Sequence, residues 1–148
     1  MRLVALSTAA IRQVVDEVRT AIPDQEITLD LRFDRPINCD APRIAQAVSN
    51  LLSNATKHTT DGAPIVVQGS VQDDEVEITV ANRGQAIPKD IQQNLFQPLQ
   101  RGSHTTADGL GLGLHIVSSI ATAHNGRVEL VCAEGTTTFS FRLPLLAS

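Results

Sequence analysis

Three clusters in this 148-residue chain have the residue types and spacing for chemistry on phosphates. Gln46, Asn50, Asn54 and Lys57 recur at steps of four, four and three, so a helix stacks them in one row. Asn is a mediocre helix former, and two within one helix point to polar work. Their neutral oxygens suit a magnesium ion that keeps most of its waters, and Lys57 offers a point charge for phosphate. Gly109, Gly111 and Gly113 alternate in G-L-G-L-G-L ahead of an amphipathic stretch. Backbone N–H groups can converge there without Cβ obstruction, and a helix N-terminus adds partial positive charge, which makes a cradle for phosphates. The spacing is neither the G-x-G-x-x-G of a dinucleotide turn nor a loop ending in G-K-[ST]. Asn82 and Gly84, in A-N-R-G-Q-A-I-P, follow a strand and could approach the edge or flat face of a base. Taken singly, these clusters also read as a solvated helix face, a flexible hinge and an ordinary strand exit. Together and in this order, with Phe96–Arg101 between the last two, they are far more specific.

The elements that must position them are legible from periodicity. Ile11, Val14, Val15, Val18 and Ile22 mark one face of a helix, capped at Ser7 or Thr8 and stopped by Pro23. Ile27, Leu29, Leu31 and Phe33 alternate with polar residues as a half-buried strand. Asp40 caps the helix that carries the amide row, with Pro42 in its first turn, Ile44, Val48, Leu51 and Ala55 as its core stripe, and its end near His58. Strands follow at Ile65–Val71 and around Val76, Ile78 and Val80, joined at Asp73-Asp74. Pro88 opens a short helix through Phe96. A loop rich in Gly, Ser and Thr spans Gln97–Asp108. A third main helix runs from the glycine cluster to His124 and is capped by Asn125-Gly126. Two strands, around Val128/Leu130/Cys132 and Phe139/Phe141/Leu143, close the chain through a Glu134-Gly135 turn. The order predicts a two-layer α/β sandwich: a mixed, mostly antiparallel sheet covered on one face by three helices. No internal repeat or long linker divides the chain.

Composition narrows the partners. The net charge of −4 argues against a nucleic-acid backbone, and 3% aromatic residues with no Trp or Tyr removes base-stacking platforms. Cys39 and Cys132 stand in no metal-ligand spacing and read as buried free thiols, consistent with a reducing, cytoplasmic setting. No apolar run approaches a membrane span, so no membrane contact is expected.

R-I-A-Q-A-V-S-N-L-L-S-N-A-T-K-H-T resembles the N box of bacterial sensor histidine kinases. N-R-G-Q-A-I-P resembles their G1 box, L-F-Q-P-L-Q-R-G the F box and G-L-G-L-G-L-H-I-V the G2 box. The likeness covers roughly Asp40 to Pro144. It implies the Bergerat fold shared with gyrase, Hsp90 chaperones and MutL repair proteins, with residues 1–148 as one catalytic ATP-binding domain of a longer sensor kinase. By the same resemblance, Asn54 is the magnesium ligand, Asn50 its companion near the phosphates, and Lys57 and His58 reach phosphate or ribose. Asn82 takes the place of the Asp that accepts the adenine amine, and Gly84 lets the base in close. Gly109, Gly111 and Gly113 cradle phosphates. Residues 97–108 form a mobile ATP lid, with Arg101 a candidate γ-phosphate contact. The implied function is that of a two-component signalling kinase: it binds Mg-ATP and donates the γ-phosphoryl to a histidine.

Asn50 stands where gyrase-like ATPases carry a Glu that activates water, and an amide cannot serve as a general base. Slow hydrolysis is expected, which suits a phosphoryl donor. Two positions depart from the pattern: Asn82 for Asp, and Ala86 for the second G1 glycine. The uncharged Asn82 should weaken nucleotide affinity about fivefold. Its N–H could also face guanine O6 and relax base selectivity. None of the four histidines, His58, His104, His115 and His124, has the context of a phosphoacceptor. His115 and His124 read as satisfied structural histidines. The acceptor is expected on an upstream dimerisation domain, with a response regulator as further partner and this fragment monomeric. The competing readings are a degenerate nucleotide-binding module acting as a regulatory or protein-interaction domain, and a gyrase- or MutL-like ATPase or anti-sigma-type serine kinase.

Overall fold

The computed structural model describes residues 4–6, 8–33, 35, 37–60, 62–84, 87–92, 96 and 112–145. Among the described residues, seven strands and four helices follow in the order β1 (Val4–Leu6), α1 (Thr8–Ala21), β2 (Ile27–Arg32), β3 (Ile37–Cys39), α2 (Ala41–His58), β4 (Ile65–Gln72), β5 (Glu75–Arg83), α3 (Lys89–Gln92), α4 (Leu112–Ala123), β6 (Arg127–Ala133) and β7 (Thr136–Pro144). Five strands form one mixed sheet in the order β2-β4-β5-β7-β6. Within this sheet β2 and β4 run parallel, because α2 lies in the crossover between them; β4–β5, β5–β7 and β6–β7 are antiparallel. The two-layer sandwich read from the sequence is the observed architecture.

Alternation fixes which sheet face is covered. Ile27, Ile65, Val67, Val76, Ile78, Val80, Phe139, Phe141 and Leu143 are buried against Ile11, Val14 and Val15 of α1, Ile44, Ala47, Val48, Leu51, Leu52 and Ala55 of α2, and Leu114, Val117, Ile120 and Ala121 of α4. A one-residue slip in any strand would send this set to solvent. The opposite face carries charges instead. Arg142 lies 2.7 Å from Glu77, 3.4 Å from Glu129 and 3.9 Å from Glu75, while Arg127 lies 2.8 Å from Glu75 and 3.0 Å from Glu129.

The turns match their sequences. Asp73 and Asp74 both take positive φ, as do Glu134 and Gly135, the backbone that two-residue hairpins of right-twisted strands require. Asn125 ends the α4 segment at φ 61°, and the Gly126 N–H donates to Ala121 O at 2.8 Å. A Cβ on Gly126 would overlap the Arg142 carbonyl, so glycine is required for β6 to start against β7.

Three expectations are corrected. A small antiparallel sheet pairs β1 with β3, in register Val4 with Cys39 and Leu6 with Ile37, where no strand is read from the sequence. Ile22, counted on the buried face of α1, lies beyond the helix end and is 40% exposed, because α1 stops at Ala21. Cys39 is buried as expected, whereas Cys132 is only half-buried, on an edge strand; both are free thiols. The short helix is described over Lys89–Gln92, and residues 93–95 lie outside the described residues. Among the described residues no helix is long and apolar enough to cross a membrane.

Candidate functional site

The site is built along α2, whose start is fixed by the Asp40 side chain accepting the Arg43 N–H at 3.4 Å, with a proline in the first turn. Asn50, Asn54 and His58 recur every four residues, and all three are half-buried. They form a row beside the stripe that packs on the sheet; Gln46, one turn before Asn50 in the same row, and Lys57 are exposed.

Each end of the row meets another element. At one end, the Asn50 amide nitrogen donates to Gly113 O in the first turn of α4 at 3.2 Å. The three atoms nearest to a Cβ at Gly113 would all belong to Asn50, at 3.6–3.8 Å, so this glycine faces α2. That distance is ordinary van der Waals contact, so the approach of α4 to the Asn50 amide does not itself require glycine here. At the other end, a Cβ on Gly84 would lie 2.6 Å from the His58 carbonyl oxygen. Gly84 is thus glycine because the exit of β5 presses on the end of α2.

Asn82 closes the site from the sheet. It continues the inward-facing series Val76, Ile78 and Val80, yet it is polar and only 3% exposed. Its neighbour across β7 is Thr137, also buried, which pairs in turn with Cys132 on β6. The Cys132 sulfur lies 3.9 Å from the Thr137 hydroxyl and 3.8 Å from the Gln92 amide nitrogen, which also donates to Ile87 O at 2.6 Å. One end of a largely apolar interior is therefore polar, with Asn82 and Thr137 as its floor. Phe96 packs edge-on against Phe139, with ring centroids 6.0 Å apart, beside that floor. Thr137 was not picked out from sequence. The signal was available, since T-T-T-F-S-F alternates with Phe139 and Phe141 and so places Thr137 inward.

The His58 Nε2 is buried with no hydrogen-bond partner among the described residues. An orphaned imidazole nitrogen beside two half-buried amides is a cost unless something polar binds there. No group of three or more His, Cys, Asp or Glu side chains that could hold a metal is gathered among the described residues. A cation here would be held by amide oxygen together with ligand oxygens, a donor set that suits magnesium. Arg101, Gly109, Gly111, Ala86 and the lid at 97–108 lie outside the described residues. His124 is the satisfied histidine expected: Nδ1 meets Ile120 O at 2.8 Å and Nε2 accepts the Asp40 N–H at 3.0 Å.

A family model described as histidine kinase-, DNA gyrase B-, and HSP90-like ATPase matches residues 39–147. A bacteriophytochrome of Pseudomonas aeruginosa is 36% identical over 140 residues, covering 91% of this chain and 19% of that protein. The probable sensor histidine kinase TcrY of Mycobacterium tuberculosis is 37% identical over 135 residues, covering 88% of this chain and 28% of that protein. This chain thus spans well under a third of either relative. Among solved structures, the nucleotide-free catalytic domain of the histidine kinase ThkA superposes with a TM-score of 0.82 at 25% identity, covering 98% of this chain and 97% of that one.

Proposed function

The chain belongs to the histidine kinase-, DNA gyrase B- and HSP90-like ATPase family, and from that membership we propose that it binds Mg-ATP and supplies the γ-phosphoryl to a protein histidine. The observation that carries this reading is the half-buried row Asn50, Asn54 and His58, running from the first turn of α4 to the floor formed by Asn82 and Thr137. On this reading base, ribose and phosphates lie along that line in that order from the Asn82 end. Asn54 would hold magnesium, which neutralises charge spread over the phosphates. His58 Nε2 has an unmet bond to offer the ligand, and Lys57 at the exposed rim supplies a positive charge. Gly109, Gly111, Gly113 and Arg101 belong to the same reading on the phosphate side.

Asn50 favours transfer over hydrolysis. Its amide nitrogen is taken by Gly113 O, and an amide oxygen cannot accept a proton from water at neutral pH. Water at this place is not activated, and the acceptor becomes an imidazole nitrogen brought from outside. The nitrogen forms the N–P bond as ADP leaves with the electrons of the broken O–P bond. A dimerisation domain bearing that histidine, and a response regulator that receives the phosphoryl, are the partners this reading requires. The site's contribution is positioning and charge neutralisation.

Calorimetric titration with a non-hydrolysable ATP analogue, with and without magnesium, tests the reading. Magnesium-dependent binding in the micromolar to sub-millimolar range is expected, weakened at least about tenfold in Asn54→Ala. No binding at millimolar analogue would leave the regulatory-module reading in its place.

A further inference from the structure

The outer strands of the main sheet, β2 and β6, each leave one edge unpaired among the described residues, and the two edges differ. On β2 the Ile65 N–H donates to Glu26 O, so the next carbonyl, that of Ile27, turns outward and accepts from the Arg19 guanidinium. Asp30 and Arg32, 3.2 Å apart, add exposed charge further along. Charge of this kind blocks a sheet edge against further pairing. The second half of β6 carries none: Leu130, Val131, Cys132 and Ala133 are uncharged, and Val131 is 56% exposed. The two charged residues of β6 are drawn back over the sheet, Arg127 to Glu75 at 2.8 Å and Glu129 to Arg142 at 3.4 Å. Its pairing with β7 runs unbroken from Arg127 to Ala133. The hairpin also fixes which backbone groups lie on the open edge. Glu134 and Gly135 form a two-residue turn, so Ala133 and Thr136 exchange both main-chain bonds. By alternation so do Val131–Thr138, Glu129–Ser140 and Arg127–Arg142. The N–H and C=O groups of Val128, Leu130 and Cys132 therefore point away from β7.

We propose that β6 is a self-association surface: a second copy of this chain lays its own β6 antiparallel to it about Leu130, joining two sheets into one. A two-fold axis there sets Leu130 against the partner's Leu130, Val128 against the partner's Cys132, Glu129 against the partner's Val131 and Arg127 against the partner's Ala133. The residues whose N–H and C=O groups point outward thus meet one another, and the whole strand is matched. A slip to the next bonded register would leave part of it overhanging. No like charges face each other across the pair, which favours this occupant. Val128, Leu130 and Cys132 also lie on the helix-covered side and are half-buried because the strand is the last of its sheet. The partner's same residues would continue that apolar layer. This inference is independent of the nucleotide-binding reading, and it puts a dimer in place of the monomer expected from the sequence.

Sedimentation equilibrium of the unaltered chain, of Val131→Glu and of Val131→Lys tests this, the substituted position facing solvent outside the candidate site. A reversible dimer is expected for the unaltered chain. Val131→Glu sets a carboxylate against the partner's Glu129 on both sides of the axis, whereas Val131→Lys sets opposite charges there. The dimer of the first should be at least about tenfold weaker than that of the second. Amide exchange gives a second readout. Raising the protein concentration should slow exchange at Val128, Leu130 and Cys132 and leave Val131, already paired with Thr138, unchanged. A chain that stays monomeric up to millimolar concentration would overturn the proposal. Equal weakening by the two substitutions would also overturn it, because an unspecific apolar contact loses as much to either charge. Concentration-dependent protection that spares β6 would place the contact on another surface, with the same consequence.

Discussion

A Cβ at Gly84 would lie 2.6 Å from the His58 carbonyl oxygen, whereas one at Gly113 would meet Asn50 atoms at 3.6–3.8 Å. The first distance is shorter than real Cβ contacts, and the obstacle is backbone at the end of a helix, which cannot step aside cheaply. The second is ordinary van der Waals contact. Gly84→Ala should therefore destabilise the fold by about 1–3 kcal/mol, the usual range for overpacking. It should also weaken nucleotide binding, because the strand exit that orients Asn82 must shift. Gly113→Ala should leave stability unchanged or raise it by about 0.5–1 kcal/mol, since alanine is the better helix residue. Denaturant unfolding of both variants measures this. Equal destabilisation by the two would show that α4 and α2 approach too closely at Gly113 for an added methyl group. From sequence the two glycines look alike, each in a motif beside a presumed ligand. Only the packing separates them, because what a missing Cβ makes room for depends on residues distant in the chain.

The helices were legible as elements, but the ties between them were not. Periodicity shows the buried stripes of α1 and α2, and alternation shows β4, β5 and β7, because each pattern lies within one short window. The pair β1–β3 escaped because three residues are too few to show alternation, and the partners are more than thirty residues apart. The parallel pairing of β2 with β4 is equally non-local. In the site, the amide row was legible for the same local reason, while Thr137 required knowing which strand lies beside β5. His124 shows what such a tie does. It accepts the Asp40 N–H at the start of α2 while its Nδ1–H donates to Ile120 O in α4, so one neutral imidazole joins the two helices that flank the site. His124→Ala should cost about 1–3 kcal/mol, the range for leaving a buried group unpaired. The decisive readout is local: amide exchange at Asp40 should accelerate beyond the global loss of stability. An Asp40 amide that merely follows the global change would mean that its bond to His124 contributes nothing of its own.

At the scale of the whole molecule, stability against pH depends on how few groups titrate in the alkaline range. The chain has no tyrosine, two lysines and two cysteines. Lys57 and Lys89 are exposed, and Cys132 is half-buried. Cys39 is different. It is 1% exposed in the small β1–β3 sheet, and burial, with a smaller contribution from the Asp40 carboxylate, pushes its thiol from the ordinary 9.0 up to about 11. Between those values the unfolded chain gives up the thiol proton and the folded chain keeps it. The unfolded state then binds fewer protons, so stability must fall as pH rises through that window, and it is fully present below pH 9. Heat denaturation followed from about pH 8 to about pH 12 should show this decline in the native chain and a shallower one in Cys39→Ala, whatever the absolute cost of the substitution. Parallel curves would place the alkaline loss on other groups and show that the β1–β3 sheet opens before its thiol ionises. A difference confined to this window would show that β1 and β3, although only three residues each, remain closed as part of the same cooperative unit as the main sheet.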